Sequence, residues 1–270
     1  MSAVATGDAA VAQRNPFGWR FTGPLLMGST LNPINSSMIA TALVGIGVDF
    51  HRGPAQTTIL ISVLYLCSAV AQPTMGKLAA VFGPRRVFVS GLVVLLVAGI
   101  VGAAAPAFWC LLLSRALIGI GTSAAYPTAM ALVRSRADSF GTGVPSRILG
   151  GFSIAAQVIA VIGLPLGGVL TGVFGWRAVF FVNIPIALIT LVWALRSIPR
   201  DGPMHVGGFG GLVRVVDVVG VALFAVTVIA TLEFLAGLGA PKWWLLAVIV
   251  MAINAAGHVA LRLLGTRWGL

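Results

Sequence analysis

Eight apolar runs, each near the length needed to cross a bilayer, occupy residues 22–48, 57–75, 87–106, 108–133, 148–172, 178–197, 215–236 and 243–264. A hydrocarbon core of about 30 Å is crossed by about 20 helical residues rising about 1.5 Å each. Lipid offers no partner to a bare backbone amide, so each run is expected to be a helix. The alternation of barrel strands is missing. The sequence therefore predicts an all-α, polytopic membrane protein. Its 9% of charged residues would not cover a soluble domain, which needs about a quarter. The net charge of +11 is dispersed singly between apolar runs, not gathered into a patch, so the expected partner is the lipid bilayer and not nucleic acid.

Orientation follows from the connectors. Gly76 to Arg86, GKLAAVFGPRR, joins the second and third runs with one Lys, two Arg and no acid. A short basic turn between spans belongs on the cytoplasmic side. With both termini on that side of a plasma membrane, the inner segments carry thirteen Lys and Arg. The outer loops carry Arg52, Arg177 and Lys242. Residues 1–21 read as a cytoplasmic tail, 22–197 as a six-helix bundle, and 198–214 as a cytoplasmic linker rich in Gly and Pro. Residues 215–270 read as two further spans with a short tail. Connector 134–147 is expected to be long. Cys67 and Cys110 fall inside apolar runs, so no disulfide framework is implied. His51, His205 and His258 lack metal-ligand spacing, and neither a metal nor a cofactor is expected.

Four motifs occur in order. The first, Gly76, Leu78, Gly83, Arg85 and Arg86 within GKLAAVFGPRRVF, is similar to G-x-L-a-D-r-x-G-r-r. The second is Arg115 with Gly119 and Gly121 (R-x-x-x-G-x-G). The third is Gly163, Pro165, Gly167 and Gly168, similar to G-P-x-x-G-G with the proline displaced by one. The fourth is Gly175-Trp176-Arg177 followed by Phe180, Asn183 and Pro185. Together they resemble the major facilitator superfamily, and in particular the first part of its fourteen-span drug:proton antiporter group. The resemblance covers about residues 20–265. It implies a six-helix bundle plus two extra helices, and leaves a second six-helix bundle to be supplied by a longer parent chain, a separate half or another copy.

Two departures matter. The acid of the loop motif is replaced by Ala80, followed by Val81, which removes the charge-pairing latch that the family acid implies. In helix 1, LNPINSSMIATAL carries Asn32 and Asn35 where the family segment carries an Asp, and an amide cannot exchange a proton. Arg115 lies deep in an apolar run. A charge there costs about 2.5–3.5 kcal/mol to insert, so it is expected to face a cavity or partner. Glu233 is the acid lying deepest in an apolar run, but near that run's outer end. A snorkelling role suits it better than proton coupling. Gly163, Gly167, Gly168 and Gly172 give small-xxx-small steps suited to close helix packing and a pivot, with Pro165 as a kink.

Polar positions Asn32, Asn35, Ser36, Ser37 and Thr41 are expected on one inward face of helix 1. Gln72, Tyr126 and Gln157 would complete a cavity of amides and aromatics suited to neutral or amphipathic solutes. The expected function is alternating-access transport of a small solute by a drug-efflux-type permease. The rival is a non-transporting remnant or docking subunit. No nucleophile–base pair, metal cluster or phosphate loop suggests an enzyme.

Overall fold

The computed structural model describes residues 17–202, 218–236, 244–246, 248–249 and 251–253. Helices are α1 (Trp19–Asp49), α2 (Pro54–Phe82), α3 (Pro84–Ala103), α4 (Phe108–Ser123) and α5 (Ala125–Ser139). They continue with α6 (Ser146–Phe174), α7 (Arg177–Phe181), α8 (Asn183–Ser197) and α9 (Val218–Ala236). No strand occurs among the described residues. Among the described residues six stretches are long and apolar enough to cross a membrane, because α4 runs on through α5 and α7 through α8. α9 packs against α2. A second apolar helical stretch occupies Trp244–Ile253, and the rest of the eighth expected run lies outside the described residues. So do Asp217, the Glu233 side chain, His205 and His258.

The spans are longer than the apolar runs suggest. α1 has 31 residues, about 46 Å at helical rise, so its ends reach beyond the hydrocarbon. This changes the reading of the basic connector. Residues 76–82 are the last two turns of α2, and 84–86 open α3. The whole break is Gly83, with φ 96°, a left-handed backbone that a side chain resists. Pro84 follows at the first helical position, where a missing N–H costs nothing. Connector 134–147 is likewise shorter than expected, since α5 continues to Ser139.

Packing pairs α1 with α6, α3 with α4 and α8, and α2 with α4. Van der Waals fit must hold such contacts, because lipid tails give no hydrophobic drive between helices. Small residues supply the fit. A Cβ on Gly119 would lie 2.7 Å from the Leu64 carbonyl of α2, and one on Gly121 2.7 Å from the Gly91 carbonyl of α3. The R-x-x-x-G-x-G spacing thus lets α4 touch two neighbours at once.

The third motif, carried by α6, divides. Gly163 and Gly167 abut α1, where added Cβ atoms would come within 2.7 Å of Ser37 Cβ and Thr41 Oγ1. Gly168 and Gly172 have open space around them. α6 otherwise buries little beyond Phe152 and shows Ile154, Val161, Val169 and Val173 outward.

Gly167→Val is therefore expected to lower stability by about 1–3 kcal/mol through overpacking, while Gly168→Val leaves it within about 0.5 kcal/mol. Thermal unfolding in detergent compares the two.

Candidate solute cavity and the buried polar cluster beside it

α1, α2 and the α4–α5 span enclose a cavity of about 430 Å³, with Ala156 of α6 at its edge. Asn32 forms its polar floor, donating from Nδ2 to Ser68 Oγ at 3.0 Å and to Thr122 Oγ1 at 2.9 Å. Each hydroxyl passes its proton to a helix carbonyl, Ser68 to Gly119 O and Thr122 to Ile118 O. Among the described residues no group donates to the Asn32 amide oxygen. Tyr65, Gln72 and Tyr126 line the walls, and the Tyr126 ring meets Phe152 edge-on at 6.3 Å. Among the described residues no charged side chain lines the cavity.

Of the expected lining residues, Asn32, Gln72 and Tyr126 share this cavity. Gln157 does not: it is exposed on α6 and donates to Ser153 O of its own helix. Asn35 does not either. It is fully buried, and Nδ2 donates to Leu31 O at 2.8 Å and to Asn183 Oδ1 at 2.6 Å. The polar residues of α1 therefore split three ways. Asn32 faces the cavity and Asn35 the core. Ser37 and Thr41 bond carbonyls of their own helix against the α6 glycines.

Sequence reasoning missed Tyr65, Ser68 and Thr122. The signal was present in α2, where 65, 68 and 72 recur at helical spacing and share a face.

Of the two expected surroundings for Arg115, a cavity or a partner, the structure gives the partner. The Arg115 side chain is 1% exposed and faces neither cavity nor lipid. Nε donates to Leu60 O of α2 at 3.1 Å, and Nη1 and Nη2 to Asn35 O of α1 at 3.3 and 3.4 Å. No carboxylate pairs with it among the described residues. The amide at position 35 has a local reason too. Its Nδ2 points at two oxygens, Leu31 O and Asn183 Oδ1, and Asn183 Nδ2 is committed to Val179 O and Phe180 O. An ionised Asp would set oxygen against oxygen there.

At the loop motif the unforeseen residue is Asp201, in the segment after α8. Its carboxylate accepts from the backbone N–H of Arg85 at 3.1 Å and of Arg86 at 2.8 Å. These are the second and third residues of α3, whose N-cap, Gly83, has no side chain to serve them. Asp201 thus caps α3 from a distant part of the chain, and a Cβ on Gly83 would collide with it. Arg85 Nη2 adds a bond to Leu195 O of α8 at 3.1 Å. At the opposite end, Asp49 accepts from Trp176 Nε1 at 2.7 Å and pairs with Arg177 at 3.3 Å, closing α1 onto the start of α7. Among the described residues no cluster of His, Cys, Asp or Glu could hold a metal ion.

The sequence profile of the Major Facilitator Superfamily matches residues 25–268. The chain belongs to that superfamily. Its relatives include the Uncharacterized MFS-type transporter YwoD of Bacillus subtilis, 36% identical over 215 residues, covering 80% of this chain and 46% of the relative. The Puromycin resistance protein pur8 of Streptomyces alboniger is 29% identical over 226 residues, 80% of this chain and 44% of that one. A Multidrug resistance protein B homolog of Mycobacterium tuberculosis is 28% identical over 194 residues, 68% and 34% of the two chains. The chain thus spans less than half the length of these relatives. As a superfamily member with six apolar spans among its described residues, it is a multi-pass membrane protein.

Replacing Asp201 with Ala is expected to cost about 1 kcal/mol, as for loss of an ordinary N-cap. Amide exchange at Arg85 and Arg86 is expected to rise, and Asp201→Asn to retain most of the protection.

Proposed function

We propose that this chain forms the first bundle of a drug-efflux-type permease that moves a neutral or amphipathic solute by alternating access. The observation that carries this reading is the cavity, open to one side, lined by amide, hydroxyl and phenol groups and free of charge. Relatives named for puromycin and multidrug resistance support it. A cavity bounded by one bundle needs an opposing wall, and rocking of two bundles about a midplane site is the transport movement this wall implies. The second wall would come from further sequence, a separate half or another copy.

The charge asymmetry of the connectors supports a plasma-membrane protein with both ends of this chain in the cytoplasm. In this reading the two further apolar runs of the sequence within 215–270 are the extra pair of a fourteen-span arrangement. Neither Ala80 nor Asn35 can carry a proton, so coupling through those positions is absent from the proposal.

Equilibrium binding of puromycin to the purified chain in nanodiscs tests the reading. Asn32→Ala and Tyr126→Ala are each expected to weaken binding about tenfold, the scale of one lost hydrogen bond or ring contact, while both variants still unfold cooperatively in detergent. If puromycin and other amphipathic drugs bind no better to the wild type than to the double variant, the docking-subunit reading replaces this one.

A further inference from the structure

A second concave surface lies away from the solute cavity, between the start of α1 and the end of α8. It measures about 860 Å³, within the range of ligand sites, about 300–1,000 Å³. No residue of the solute cavity lies on α8. Leu188, Ile189 and Val192 make an apolar wall, and Arg20, Arg196 and Ser197 stand at the mouth. Trp193 forms the side, its ring 5.8 Å from that of Trp19. Gly23 makes room for this seam, since a Cβ there would collide with Trp193.

We propose that this groove binds an anionic phospholipid, the phosphate between Arg20 and Arg196 and an acyl chain along Leu188, Ile189 and Val192. Three features favour that occupant. Neither arginine makes a hydrogen bond or ion pair with any described residue, although both are exposed at the same end of the bundle. Among the described residues no acidic side chain lines the groove, so none of them compensates the two charges. Polarity changes along the groove from guanidinium and hydroxyl, past indole, to aliphatic side chains, the order met in a phospholipid from headgroup to tail. Planar guanidinium groups suit bidentate contact with phosphate oxygens.

The site is independent of the solute reading, because it shares no residue with the solute cavity. Its test uses the full chain in mild detergent, with native mass spectrometry reading retention of added phosphatidylglycerol and phosphatidylcholine. The wild type is expected to favour phosphatidylglycerol by at least about tenfold, the scale of two arginines acting on an anionic headgroup. Arg20→Gln with Arg196→Gln should abolish that preference. Arg134→Gln with Arg147→Gln, exposed charges at the same end but outside the groove, should leave it intact. Ile189→Trp, which fills the apolar part, should lower retention about fivefold or more with both arginines present. Equal loss in the two arginine pairs would reduce the effect to diffuse surface charge and overturn the site. So would equal retention of both lipids by the wild type, or full retention by Ile189→Trp.

Discussion

A guanidinium in the middle of an apolar bundle has to be satisfied or expelled, and Arg115 is satisfied without a counter-charge. Its fork reaches the carbonyl of Leu60 in α2 and that of Asn35 in α1. One side chain on α4 thereby fixes the relative height of three helices. Charge-assisted bonds are about twice as strong as neutral ones, and in a site shut off from water and lipid headgroups they have no competitor. The close approach that makes them possible depends in turn on Gly119 and Gly121, which let α4 settle against α2 and α3.

Spending the only deeply placed charge among the described residues of the bundle on the scaffold has a consequence for the cavity next to it. Asn32 and Asn35 are three residues apart on α1, about 300° around the helix, so their side chains point about 60° apart. That offset suffices to send one amide to the cavity and the other to the core. The core amide is locked between Leu31 O and Asn183 Oδ1, an arrangement only a donor can make. The cavity amide offers an acceptor to whatever enters. A surface of this kind recognises shape and a few hydrogen bonds.

Much of the architecture was legible in the sequence because bilayer thickness imposes length and apolarity on every span, and all six long helices contain a run visible in the residues. Boundaries were less legible. The run 57–75 ends where hydropathy falls at Gly76, yet hydrogen bonding carries α2 on to Phe82, since interfacial turns need no apolar side chains. Site residues divided by the same logic. Asn32, Gln72 and Tyr126 were legible because each is a polar or aromatic side chain set in an apolar run, and such groups turn away from lipid towards the bundle interior. Gln157 and the partition of α1 depend on how helices rotate against each other, which one sequence does not encode visibly. Asp201 was hidden for a different reason. A cap supplied from over a hundred residues away has no local spacing to betray it, and Gly83, which has no side chain to cap with, was the one hint.

The most direct test of this account is the unfolding free energy of Arg115→Lys beside that of the wild type, measured in the same detergent. Lysine keeps the charge but cannot reach two carbonyls on two helices with a rigid fork. If main-chain capture of the guanidinium holds α1, α2 and α4 together, the variant loses at least about 2 kcal/mol, the scale of one or more hydrogen bonds to a charged group. Unfolding indistinguishable from the wild type would contradict it, and would mean that charge alone is what the bundle requires at this position.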